Sequence, residues 1–195
     1  MRFLHHTSVF IEIYLEIKMR KLKITELNRL TYEEYKETDK IPLTIVLDNV
    51  RSLHNVGSVF RTSDAFLIEQ IFLCGITSTP PHAEIHKTAL GAEDSVTWQY
   101  YEKTEQALNV LKNKDYTLLA IEQAEGSIML NEMKLEKGRK YAVVFGNEVK
   151  GVQQSVVDSC DTCIEIPQYG TKHSLNVSVT AGIIIWEFAN QLTRL

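Results

Sequence analysis

From Pro42 onward, short apolar runs rich in β-branched residues alternate with segments whose apolar residues return at helical spacing. No other feature limits the fold as strongly. Leu43-Thr44-Ile45-Val46-Leu47 reads as a buried strand, and Val56, Val59, Phe60 and Phe66 follow along a helix. Further strands are expected over Ile68–Leu73, Tyr116–Ile121, Tyr141–Phe145 and Thr162–Ile166. Helices are expected over Thr104–Asn113, through the stripe Val152, Val156, Val157 and Cys160, and from Leu175 to Leu192. Such alternation predicts an α/β fold, a mostly parallel sheet with helices on both faces. Ligands in such sheets bind outside the carboxyl ends of the strands.

A chain of 195 residues, 44% of them hydrophobic, can bury one domain core. We therefore expect an N-terminal extension over 1–40 and a single domain over 41–195. Met19 opens a basic run, Arg20-Lys21-Leu22-Lys23, and is an alternative start, which would make 1–18 an upstream extension rather than native coding sequence. The competing reading is an edge strand, because Ile11, Ile13, Leu15 and Ile17 alternate with Glu12, Tyr14 and Glu16. The apolar stretch Val177–Phe188 is shorter than the ~20 residues of a membrane span, and Glu12 and Glu16 interrupt the only candidate signal core. A cytoplasmic protein without a membrane partner is expected. Its three cysteines make no disulfide framework, and Cys160 and Cys163, an isolated C-x-x-C, lack the second ligand pair a metal would need. They read as ordinary half-buried cysteines, and no metal is expected. The net charge of −4 argues against nucleic-acid binding by bulk electrostatics, but not against a local patch.

Three segments run from a strand into polar residues and glycine. The first, after strand one, contains Asn55 and Arg61; Asn55 is placed to cap a helix, and the helix start with an arginine fork suits a phosphate or ribose. The second, Phe145-Gly146-Asn147-Glu148-Val149-Lys150-Gly151, brackets a carboxylate with two glycines, so main chain can approach a ligand closely. The third runs from Pro167 to Val177. There Ser174 is a candidate helix cap, and Asn176 falls on the first turn of an apolar helix, where a buried amide needs partners.

Together these segments closely resemble the three motifs of the SpoU/TrmH family within the SPOUT methyltransferases, in the family's order and over about 140 residues from Pro42. The resemblance implies a parallel sheet whose C-terminal segment is threaded into a deep trefoil knot, an exception to the rule that chains are unknotted. It implies S-adenosylmethionine as cofactor, held by the stretch Glu122-Gln123-Ala124 and by Gly146, Asn147, Ile166 and Leu175. It implies a homodimer whose closing helices pack on each other, consistent with an apolar run at Ile183, Ile184, Ile185, Trp186 and Phe188. The implied reaction is methyl transfer to a ribose 2′-hydroxyl of tRNA or rRNA. Arg61 would stand at the hydroxyl, and Asn55, Glu148, Ser174 and Asn176 would orient it and the ribose, across the dimer interface. A catalytically silent RNA-binding member is the alternative. An unrelated nucleotide-binding enzyme would want a glycine-rich phosphate loop after the first strand, and neither G-x-G-x-x-G nor G-x-x-x-x-G-K-[ST] occurs there.

Overall fold

The computed structural model describes residues 19–193. The proposed edge strand over 11–17 lies outside them. The extension holds a 3-10 turn at Ile24–Glu26 and a short helix, α1 (Tyr32–Glu37). Thr31 starts that helix with a reciprocal cap: its Oγ1 accepts from Glu34 N, while Glu34 Oε2 accepts from Thr31 N.

The domain contains β1 (Ile41–Asp48), α2 (Leu53–Ala65), β2 (Ile68–Cys74), α3 (Ala83–Ala89), α4 (Ala92–Ser95), β3 (Trp98–Tyr101) and α5 (Thr104–Lys112). It continues with β4 (Tyr116–Ile121), β5 (Ile128–Met129), β6 (Lys140–Phe145), α6 (Gln154–Val157), β7 (Thr162–Glu165) and α7 (Val177–Thr193). The strands form one sheet in the order β3-β2-β1-β6-β4-β7-β5, every pair parallel. The five strands read from the sequence are present. The half-exposed β3 and the two-residue β5 were not foreseen, because neither has the apolar density of a buried strand.

Alternate residues of β1 face opposite layers. Leu43, Ile45 and Leu47 join Val56, Val59, Phe60, Ile184 and Phe188 beneath α2 and α7. Val46 joins Phe72, Leu108, Leu111 and Val156 beneath α5 and α6. Each layer closes one sheet face, so the carboxyl ends of β1, β6 and β4 stay in register and deliver their loops to one rim.

Two helix boundaries correct the sequence reading. Asn55 does not cap α2; Ser52 does, its Oγ accepting from Asn55 N at 3.3 Å. The closing helix starts at Val177 rather than Leu175, and Asn176 replaces Ser174 at its start, with Oδ1 accepting from Ser178 N at 2.9 Å. Asn176 is therefore exposed at a helix end, not buried inside the helix as expected. The valine stripe yields only the short α6, since Val152 and Cys160 pack from the flanking turns. Cys160 is half-buried, as read from the sequence, whereas Cys163 is buried.

Candidate active site

A cleft of about 440 Å³ opens where β4, β6 and β7 end. Its apolar wall includes Ile121, Phe145, Ile164, Ile166 and Leu175, and Glu122, Gln123 and Gln168 supply polar groups. Asn147 shapes the turn that forms one side. Its backbone N donates to Gly151 O at 3.0 Å and its O accepts from Gly151 N at 2.9 Å, while Oδ1 accepts from Val149 N and Lys150 N. The turn needs both glycines. A Cβ on Gly146 would lie 2.1 Å from the carbonyl carbon of Gly151, and Gly151 sits at φ +68, where a Cβ would lie 2.1 Å from Glu122 Oε2. Glu122 braces the far side of the turn, accepting from Val152 N at 2.9 Å.

Asp48 fixes this turn to the sheet. It ends β1 fully buried, and its carboxylate accepts from Thr104 Oγ1 at 2.6 Å, Asn49 Nδ2 at 2.8 Å, Gln153 Nε2 at 3.0 Å and Gln153 N at 3.1 Å. Four donors around one buried carboxylate satisfy it fully. Asn147 Nδ2 adds a bond to Asn49 O at 2.8 Å. Sequence reasoning passed over Asp48, Gln153 and Thr104; the available signal was a carboxylate closing an otherwise apolar strand.

The motif residues form a chain of contacts beside the cleft. Glu148 Oε2 accepts from Arg51 N, and Oε1 accepts from Ser52 N, both at 2.9 Å, so one carboxylate clamps the backbone entering α2. Oε1 also accepts from Asn55 Nδ2 at 3.0 Å, and Asn55 Oδ1 accepts from Asn176 Nδ2 at 3.2 Å. Both ends of the buried Asn55 amide are thus paired. Burial pushes the Glu148 carboxyl up, but the N–H groups of Arg51 and Ser52 outweigh it and hold the group below the usual carboxylate range.

The structure thus brings Asn55, Glu148 and Asn176 together, with Glu148 and Ser174 on the cleft itself. Of the residues expected to hold a cofactor, Glu122, Gln123, Gly146, Asn147, Ile166 and Leu175 line the cleft. Ala124 does not; it packs against the second core layer. Arg61 stands apart from the cluster. It is exposed on α2, about 120° around the helix from Asn55, and among the described residues its guanidinium has no hydrogen-bond or ion-pair partner. Gln168 and His173 of the third segment and Thr180 of α7 also line the cleft and were missed, because they carry no pattern of their own.

An all-parallel α/β sheet with a ligand-sized cleft at its strand ends, ringed by three loops, defines a ligand-binding protein of the strand-end class. The chain belongs to the SpoU rRNA Methylase family, whose model matches residues 42–186. It is 32% identical to the tRNA (guanosine(18)-2′-O)-methyltransferase of Aquifex aeolicus over 155 residues, covering 76% of this chain and 69% of the relative. It is 29% identical to an uncharacterized tRNA/rRNA methyltransferase of Borreliella burgdorferi, covering 93% and 79%. Other relatives are longer: the chain spans 61% of a Staphylococcus saprophyticus TrmH family tRNA/rRNA methyltransferase and 58% of a Blochmanniella floridana 23S rRNA (guanosine-2′-O-)-methyltransferase. Among solved structures, the A. aeolicus TrmH/SpoU tRNA modifying enzyme superposes with a TM-score of 0.72 at 27% identity, covering 82% of this chain and 81% of the other. An rRNA methyltransferase from Sinorhizobium meliloti, solved with AdoMet bound, shares the fold at a TM-score of 0.74 and 23% identity, with coverage of 82% and 61%.

Proposed function

We propose that this protein transfers a methyl group from S-adenosylmethionine to a ribose 2′-hydroxyl of tRNA or rRNA, and that it does so as a homodimer. The observation that carries this reading is the chain Glu148–Asn55–Asn176 beside a strand-end cleft of cofactor size. The cleft fits the cofactor chemically. Ile121, Phe145, Ile166 and Leu175 offer apolar walls to an adenine ring, close-packed main chain at Gly146 and Gly151 offers uncharged donors and acceptors, and Glu122 and Glu165 offer carboxylates to hydroxyl and ammonium groups. The bound cofactor supplies an activated methyl group on a sulfonium.

The protein's own residues then align and stabilise. A guanidinium holds its proton far above neutral pH and is a poor base. We therefore assign Arg61 to gripping an RNA phosphate and stabilising the developing 2′-alkoxide, whose proton passes to solvent water, while the methyl group would pass from the sulfonium to the 2′-oxygen and leave the neutral thioether. Glu148 and Asn55 hold the start of α2, and Asn176 ties the third segment to it. Arg61 does not reach this cluster within one chain, and we assign its site to the partner subunit. α7 supports that assignment: Ala181, Ile184, Ile185 and Phe188 are buried in the chain, while Val179, Ile183 and Trp186 are exposed. Trp186 stacks edge-on against Phe66 at the end of α2, so the exposed strip of α7 adjoins the helix that carries Arg61.

A C-terminal knot is also part of the proposal. β7 lies between β4 and β5, which are successive in the chain. The segment leaving β7 returns past the β4–β5 connection, where Gln123 Nε2 donates to His173 O at 3.0 Å. The silent RNA-binding alternative is disfavoured because Asn55, Arg61, Glu148, Ser174 and Asn176 are all present.

The test is to incubate total RNA from a deletion strain with the protein and labelled cofactor, then digest the RNA to nucleosides. Label is expected in a 2′-O-methyl nucleoside whose 3′ bond resists alkali. R61A should abolish transfer and leave cofactor affinity nearly intact. In mixtures, R61A and N176A subunits should restore partial activity by forming one complete site. Base-methylated product, or near-normal turnover by R61A, overturns the reading.

A further inference from the structure

A second cleft, of about 620 Å³, lies at the other edge of the molecule and belongs to no motif. It sits on the outer side of α3. The inner side of that helix, at Ile85, Thr88 and Ala89, presses against Gly57 of α2 so closely that a Cβ there would meet Thr88 Oγ1 at 2.1 Å. Trp98, first residue of the edge strand β3, and the Pro80–Pro81 pair give the cleft flat apolar surfaces. His82, His86 and Asp94 supply its polar groups, with Glu93 behind them.

The hydrogen bonds fix what each group can offer. Glu93 is buried and spent: Oε1 pairs with His86 Nδ1 at 2.6 Å, and Oε2 accepts from Gly91 N at 3.0 Å. His82 Nδ1 accepts from Glu84 N at 3.1 Å, so in the neutral ring the proton sits on Nε2, which is a donor. Asp94 is exposed, and its carboxylate has no partner among the described residues. The cleft therefore combines a stacking surface, an imidazole donor and a free carboxylate.

We propose that this cleft binds a guanine base of the RNA, outside the methyl-transfer site; the inference rests on the RNA-substrate reading above. Guanine alone among the four bases presents two adjacent N–H donors, N1–H and the 2-amino group, to a single carboxylate. Adenine, cytosine and uracil each set a ring nitrogen or carbonyl lone pair beside their donor, which Asp94 repels. Guanine also carries O6 and N7 as acceptors for a histidine donor. Stacking on Trp98 supplies base affinity of the kind unpaired RNA bases find on aromatic side chains. A phosphate is excluded by Asp94 and Glu93. The sheet order places β3 three to four strands from β6 and β4, so strand spacing alone sets the two clefts at least about 14 Å apart. One RNA can occupy both, whereas a mononucleotide occupies one.

The test uses guanosine 5′-monophosphate and adenosine 5′-monophosphate on the full chain, with saturating S-adenosylhomocysteine to block the first cleft. The only tryptophans are Trp98 and Trp186, and each nucleotide is followed by fluorescence quenching and by equilibrium dialysis. Guanosine monophosphate should quench the wild type, bind more tightly than the adenosine nucleotide, and lose its quench in W98F. Asp94→Asn, a surface change that leaves the core untouched, should weaken guanosine monophosphate about ten-fold and bring the two affinities together. Quenching that persists in W98F, equal affinities in the wild type, or undiminished binding by D94N overturns the proposal. None of these arms needs methyl transfer, so failure of the methyltransferase reading shows separately, in the nucleoside digest.

Discussion

Replacing Glu148 tests whether the active-site frame depends on one carboxylate. The side chain receives three charge-assisted bonds, from Arg51 N, Ser52 N and Asn55 Nδ2, at 2.9–3.0 Å. Such bonds are worth about 1.5–3 kcal/mol each when buried. Glu148 is exposed, and water re-solvates the freed donors, so about 0.5–1 kcal/mol each is the appropriate scale. Glu148→Ala should therefore cost about 1.5–3 kcal/mol. Glu148→Gln keeps one oxygen for Ser52 and Asn55 but turns an amide N–H toward Arg51 N, and should cost about half as much. With an m-value of about 2 kcal/mol/M, the urea midpoint should fall by about 1 M for E148A.

The pH dependence of Glu148 has a definite sign. Its folded pKa is lowered, so between that value and the unfolded value the unfolded state binds more protons. The stabilisation is present above the unfolded pKa, near 4.3–4.5, and is lost as pH falls through the lowered folded value. Urea melts from pH 3.5 to 7 should show a steeper acid loss in wild type than in E148Q. An E148A midpoint within 0.2 M of wild type at pH 7, with the same acid slope in all three proteins, would refute the reasoning, because the clamp would then contribute nothing to the folded state.

Other sites give further expectations. Gly146→Ala forces a Cβ into the backbone of Gly151 and Val152, and should cost about 1–3 kcal/mol and sharply weaken cofactor binding in calorimetry. Asp48→Ala leaves four donors without their acceptor and should cost about 3 kcal/mol or more by urea melt. Burial pushes the Cys74 and Cys160 thiols up to about 12, so native protein at pH 8 should react slowly with a thiol-specific disulfide reagent and unfolded protein rapidly. Ile183→Asp on the exposed strip of α7 should give a monomer in sedimentation and lose methyl transfer with it.

The layered sheet was legible because its strands are apolar on both faces, a consequence of helices covering both sides. The neighbours of each strand were not legible, since β6 pairs with both β1 and β4 through main-chain bonds, and the apolar side chains of the strands are interchangeable to periodicity. At the site, chemistry was easier to read than geometry. Asn55 and Asn176 stand out as amides beside apolar residues, yet their pairing spans 121 positions and depends on where two helices begin. The capping roles went to Ser52 and Asn176 because the first helical residue is set by main-chain direction, which several neighbouring polar residues could satisfy. Asp48 was passed over for a different reason: one buried carboxylate matters only through the donors that converge on it from Asn49, Thr104 and Gln153.

The place of β7 between β4 and β5 constrains the order in which the chain can assemble. Those two strands emerge in succession during synthesis, and direct pairing between them would close the seat that β7 must take more than thirty residues later. A productive folding route has to keep that seat open until the last third of the polypeptide arrives. Refolding should be slow for a chain of this size, and premature closure is the trap from which it must escape.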